Sequence, residues 1–189
     1  MTTVRAFVAI DLNDAIRGRI ERLQERLRRA GLKLGWVRPD NIHLTMKFLG
    51  DLEDHRAANV SNALAELAAA TSAFELHVEG VGAFPPRGVV RVVWVGVADP
   101  ARRLAECQAR CESLLTRAGF APERRPFAPH LTIARCRVAK LSGQIRKLIE
   151  RHGDVDGGRL AVARVALYRS VLSPAGSQYT VLSEHSLAP

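Results

Sequence analysis

The chain has 189 residues, enough for one domain, and 47% of them are hydrophobic, which is sufficient for a core. Lys and Arg number 28 against 19 Asp and Glu, a net charge of +9 carried mostly by Arg; this suits a phosphate-rich partner such as RNA, and equally a solvated basic surface or an Arg-favouring genome. No apolar run approaches membrane-spanning length and the stretch holding Asp11 and Asp14 is no secretory signal, which excludes membrane-embedded and secreted classes and leaves the cytoplasm as the expected location.

Residues 4–12 read as a strand closed by Asn13-Asp14. Ile16, Ile20, Leu23 and Leu27 share one face and predict a helix over 14–29, ended by Gly31 and Gly35. A strand is expected over 42–49, then a turn at Gly50-Asp51 and a helix over 54–70 with Val60, Leu64 and Leu67 inward. Strands over 74–81 and 89–97 follow, joined by the turn Pro85-Pro86-Arg87-Gly88. A helix over 100–118 leads through a Pro- and Arg-rich loop to a strand over 130–135 and a helix over 141–152. The last two strands are expected over 160–169 and 178–183, separated by Ser173-Pro174-Ala175-Gly176. Cys107 and Cys111 lie on the apolar stripe of the third helix with Leu104, Leu114 and Ala118, so they are expected as core fillers. With Cys136 they make an odd number, which argues against a disulfide framework, and no nearby Cys or His completes a tetrahedral metal set.

One constant shift of 87 residues carries the first helix onto the third, the second onto the fourth, and His43 onto His130. The chain is therefore expected to be a single domain of two similar halves, about 1–90 and 91–189. Both halves keep one pattern, His43-Leu44-Thr45-Met46 and His130-Leu131-Thr132-Ile133. A single strand histidine is well explained by a hydrogen bond to backbone, but a core histidine has no reason to recur with the same threonine two residues on. Strand side chains alternate, so each strand buries an apolar pair and presents an imidazole and a hydroxyl on the other face.

If the halves meet about a pseudo-twofold axis, two imidazoles and two hydroxyls converge on one cleft. In-line displacement at phosphorus needs a base for the attacking water and an acid for the departing oxygen, and histidine does either near neutral pH. The threonine hydroxyls can donate to the non-bridging oxygens, where charge builds. No carboxylate cluster accompanies the histidines, so neither a metal nor any other cofactor is expected.

These residues resemble the 2H phosphoesterase superfamily, and within it the bacterial RNA 2′,3′-cyclic phosphodiesterases, also called 2′-5′ RNA ligases. The strings that carry the resemblance are Arg5 to Ile10, Trp36 to Gly50 and Arg125 to Arg135, with Tyr168, Ser170 and Tyr179 in a segment similar to the family's last hairpin. The resemblance implies a bilobal α+β fold, each pseudo-symmetric half an antiparallel sheet with outer helices, around a central cleft. It implies hydrolysis of RNA 2′,3′-cyclic phosphate ends to 2′-phosphates without metal, with a weak reversible 2′-5′ joining of RNA ends. By motif position it makes His43 the general acid and His130 the general base. It also implies Thr45, Thr132 and Arg135 as substrate-binding residues, RNA ends as the partner and action as a monomer.

Strict alternation places Arg135 opposite His130 unless the strand bulges or ends first. Phe48 and Trp36 are candidates for stacking a base, but Phe48 shares the phase of Leu44 and Met46 and is expected in the core. Arg38, Arg124 and Arg125 enter the motifs either as phosphate holders or as solvated loop charges. His55, His77, His152 and His185 are expected at surface or helix-end positions. The competing readings are a phosphodiesterase for another nucleotide, such as a 2′-5′ linkage or a small cyclic phosphate, and a non-catalytic RNA-end-binding module.

Overall fold

A computed structural model describes residues 3–173 and 176–189. In chain order the elements are β1 (Thr3–Ile10), α1 (Asp14–Arg29), β2 (Gly35–Trp36), β3 (Leu44–Glu53), α2 (Asp54–Ala69), β4 (Phe74–Phe84), β5 (Val92–Ala98), α3 (Arg103–Arg117), β6 (His130–Arg135), α4 (Ser142–His152), β7 (Asp156–Val162), β8 (Arg164–Ser173) and β9 (Gly176–Ser186). The helices form where apolar residues recur every three or four positions, and Asn13 caps α1 by accepting from the Ile16 amide.

The strands make one antiparallel sheet in the order β7-β4-β5-β6-β3-β1-β8-β9, with β2 pairing β6. At its middle, β3 meets β6 through the single pair Leu44–Leu131. This join divides the sheet into two lobes. One holds β3, β1, β8 and β9 behind α2 and α3; the other holds β6, β5, β4 and β7 against α1 and α4. The α+β bilobal expectation is borne out; one lobe takes strands from both ends of the chain, β1 and β3 with β8 and β9, and the other takes β4 to β7 from its middle.

The segment 160–169, expected as one strand, is two. β7 ends at Val162, and the Ala163 carbonyl accepts the Leu187 amide as the chain leaves for β8. Since Ala163 alone connects one end of the strand order to a strand near the other end, the sheet must curl. Gly50 does not end β3 as expected; it takes φ +73° in an irregular stretch, and the strand continues to Glu53. Of the turn expected at 173–176, Pro174 and Ala175 lie outside the described residues.

Both motif strands bulge at the last residue of the motif. Thr45 pairs Ala9 and Lys47 pairs Val8, leaving Met46 extra; Thr132 pairs Trp94 and Ala134 pairs Val93, leaving Ile133 extra.

Two fully polar side chains are buried among the described residues, Gln24 and Lys47, and each is tied to a motif. Gln24 Nε2 donates to the carbonyls of Val37 and Ile133, both at 2.8 Å. It thus joins the loop entering the first motif to the bulge of the second. Lys47 Nζ, one residue past the first bulge, donates to Glu112 Oε1 at 2.6 Å and to the Ala121 carbonyl at 2.8 Å. Glu112 Oε1 also accepts the Glu123 amide, in the loop entering the second motif. Removing one partner of such a pair strands the other charge. Lys47→Met is therefore expected to cost about 3 kcal/mol in urea denaturation, and Lys47→Met/Glu112→Met less than that single change.

Candidate active site

In β1, Ala6, Val8 and Ile10 join the core while Phe7 and Ala9 take the other face. In the motif strands Leu44, Met46, Leu131 and Ile133 are buried. His43, Thr45, His130 and Thr132 are half-buried on the opposite face. The Leu44–Leu131 pair lies at the centre of both motifs. The same antiparallel count sets His43 across from Thr132 and Thr45 across from His130. The four expected side chains are brought together by this one register.

Each imidazole is held in the same way. His43 Nδ1 lies 2.9 Å from the Asn41 carbonyl, and His130 Nδ1 lies 2.7 Å from the Ala128 carbonyl. A carbonyl only accepts, so Nδ1 carries the hydrogen in both rings and Nε2 is the nitrogen left to take up or release a proton.

The surroundings are less symmetric. His43 stacks on Phe7 at 4.5 Å between centroids, Tyr168 stacks on the far side of Phe7 at 5.3 Å, and Tyr179 meets His43 edge-on at 5.2 Å. Burial in this wall pushes the His43 pKa down from 6.5 to about 4; the Asn41 carbonyl and Asp11 oppose the shift, and Arg17 and His130 add to it. Arg17 is bound to Asp11 and to the Pro39 carbonyl, beside the short turn that enters the motif. His130 meets Phe84 edge-on at 4.9 Å, and Phe84 in turn packs on Trp94.

The bulges decide the two doubtful residues. After the extra Ile133, Ala134 is buried and Arg135 is exposed, so Arg135 returns to the face of His130 and Thr132. After the extra Met46, Lys47 is buried and Phe48 is 65% exposed. The expectation that Phe48 packs in the core is wrong, because strict alternation does not survive a bulge. Its ring lies 6.1 Å from Phe7, on the His43 side, at the position equivalent to Arg135.

Trp36 packs against the core with the Arg28 guanidinium 5.1 Å over its ring. Arg38, Arg124 and Arg125 are exposed in the loops, Arg38 near Asp40 and Arg125 near Glu123. Cys107 and Cys111 are buried thiols, and burial pushes their pKa values up to about 11 and 12. Sequence reasoning misses Phe84, Asn41, Gln24 and Glu112. Phe84 has one usable signal, its place at the end of a strand before the Pro85-Pro86 turn.

The depressed His43 pKa has a consequence for stability. Between pH 6.5 and about 4 the unfolded chain binds a proton at this position that the folded chain does not. Stability is therefore expected to fall as pH drops through that window, by up to about 3 kcal/mol from this group. His43→Gln, followed by denaturant unfolding from pH 7 to 4, should lose correspondingly less than the unaltered protein.

A family model described as LigT-like phosphoesterase matches the chain twice, over residues 10–94 and 95–179. An RNA 2′,3′-cyclic phosphodiesterase of Methanothermobacter thermautotrophicus is 34% identical over 177 residues, covering 94% of this chain and 95% of that protein. A crystal structure from Thermus thermophilus superposes with a TM-score of 0.79 at 31% identity, covering 97% of each chain. Escherichia coli LigT complexed with 3′-AMP superposes with a TM-score of 0.78 at 25% identity over 100% of both chains. Two tandem matches, each containing one His-x-Thr strand, account for the duplicated frame: the chain belongs to the LigT-like phosphoesterase family.

Proposed function

We propose that the protein is an RNA 2′,3′-cyclic phosphodiesterase that opens the cyclic phosphate to a 2′-phosphate by two-histidine acid/base catalysis. The observation that carries this reading is the paired tautomer: two imidazoles on one cleft face, each with Nδ1 tied back and Nε2 free. Water attacks phosphorus as His130 Nε2 removes its proton. The P–O3′ bond breaks as His43 Nε2 delivers a proton to O3′. Thr45 and Thr132 donate to the non-bridging oxygens, and Arg135 neutralises charge from the rim of the same face. A ribose 5′-hydroxyl in place of water would leave a 2′-5′ linkage by the same steps, which is the ligation reading.

Imidazoles, hydroxyls and one guanidinium form a donor set that moves protons and binds anionic oxygens rather than holding a divalent cation. Turnover is expected to persist in chelator. The relatives named for this activity support the RNA substrate over other nucleotide phosphodiesters, and a catalytic over a binding-only role. The three free thiols suit a reducing compartment and support action in the cytoplasm, as a monomer with one cleft per chain.

In the free protein at neutral pH His43 is neutral, so as the acid it must gain its proton when the anionic phosphate arrives beside it. The same observation favours a second reading with the labels exchanged, His43 as base and His130 as acid. A substrate with sulfur at the bridging 3′ position separates them, since its better leaving group needs no acid. Substituting the acid should cost little on that substrate, whereas substituting the base should cost the full factor on both.

On the ordinary oxygen substrate, His43→Ala or His130→Ala is expected to lower kcat by at least about 10²-fold. Thr45→Val and Thr132→Val should each lower it by about 10²-fold. Retained turnover of a cyclic-phosphate-ended oligonucleotide in either histidine variant overturns the mechanism. Catalysis needs one neutral and one protonated imidazole, so the low-pH limb of kcat/KM should lie near His43's value of about 4. Phe7→Ala, which opens the wall, should move that limb up towards the ordinary 6.5.

A further inference from the structure

A cationic stripe runs along α1, a helix that carries neither motif. Arg19, Arg22, Arg26 and Arg29 are spaced three, four and three residues apart, so they stand on one helical face, and all four are exposed. With Glu25, Val155 and Asp156 they line a groove of about 540 Å³ between α1 and the start of β7. Arg19 rests against Gly158 at the groove wall, where the missing side chain leaves room for the guanidinium.

None of the four arginines has a hydrogen-bond or ion-pair partner among the described residues. The contrast with α3 is direct: there Arg103 and Arg110 donate to the carbonyls of Ser72 and Ala70, and Arg117 pairs Glu66. Within the groove Asp156 Oδ1 is already engaged by His77 and the Gly158 amide, which leaves Glu25 as the one acid on the arginine face. Three successive like-charge neighbours weaken a helix, and among the described residues no hydrogen bond or ion pair of these side chains offsets them. Such an arrangement is accounted for by an anionic ligand that the protein itself does not supply.

The ligand's form follows from the stripe's length and position. The ten helical steps from Arg19 to Arg29 spread the guanidiniums over about 15 Å, too long for one phosphate and suited to several in a row. The start of α1 is tied to the segment that enters the first motif. Arg17, two residues before Arg19, donates to the Pro39 carbonyl in the turn that enters the His43 motif. We infer that the α1 groove is a docking track for the phosphate backbone of an RNA strand whose cyclic end occupies the cleft. This deepens the proposed RNA reading and rests on it.

The test uses the full-length protein and the variant Arg19→Gln/Arg22→Gln/Arg26→Gln/Arg29→Gln. Both are assayed on a nucleoside 2′,3′-cyclic phosphate and on a single-stranded decamer ending in one. The expected result is an unchanged kcat/KM on the mononucleotide and a KM for the decamer raised about tenfold at low salt with kcat preserved. The dependence of log KM on log salt should flatten by about 0.7 for each phosphate that the variant no longer neutralises. The variant should also melt no lower than the parent, since the repulsion along α1 is gone. An unchanged decamer KM and salt slope overturn the track, as does an equal loss on both substrates. If the parent turns over neither substrate, the RNA-enzyme reading fails by itself. The groove is then judged by fluorescence anisotropy of a labelled decamer ending in a 3′-hydroxyl. Weaker binding by the variant supports the track, and equal binding overturns it.

Discussion

Everything at the cleft depends on the single backbone pair between Leu44 and Leu131. The two motif strands meet there, each flanked on its other side by the equivalent strand of its repeat, and the meeting point is the middle residue of both His-x-Thr motifs. Because side chains alternate, burying those two leucines in the core obliges both histidines and both threonines to face the other way. One antiparallel register thus sets four functional groups at once. So short a join contributes little by itself, and its geometry is held from behind. Gln24 and the Lys47–Glu112 pair each tie one motif strand to the loop entering the other, which explains why polar side chains are tolerated in an otherwise apolar core.

The fold repeats, but the two sites have diverged around a common frame. Both imidazoles use the carbonyl two residues upstream to hold Nδ1, so the frame delivers the same reactive nitrogen twice. What differs is the wall. Phe7, Tyr168 and Tyr179 close around His43, whereas among the described residues His130 meets one ring, Phe84. Desolvation in this wall disfavours the protonated form of His43. That wall is built by strands β1, β8 and β9 rather than by the motif.

Much of this could be read from the residues. The bounds of α1 and β6 were legible because apolar periodicity and clear breakers coincide there. The pairing of His43 with His130 was legible because a threonine recurs at the same spacing after a shift of 87 residues. Phe48 was misplaced, since Leu44-Thr45-Met46-Lys47-Phe48 alternates without a break in sequence and the bulge at Met46 leaves no signal there. The same kind of bulge settles Arg135, whose face depended on whether the strand kept its alternation. The break at Ala163 was missed because β7 and β8 are both apolar and only a topological crossing separates them. Gln24 looks like an ordinary surface residue within α1; its burial follows from which strand the helix covers, and that is a tertiary fact.

The duplicated bulge carries a consequence of its own. By absorbing one residue directly after Thr45 and Thr132, it turns the third residue after each threonine outward beside the cleft, while the residues before it stay bound to the core. Phe48 and Arg135 occupy these matching sockets, one offering a flat apolar surface and the other a fixed cation. Each socket is free to exchange its occupant without disturbing the imidazoles. A lineage built on this frame can therefore vary the residue in either socket while leaving the imidazoles in place.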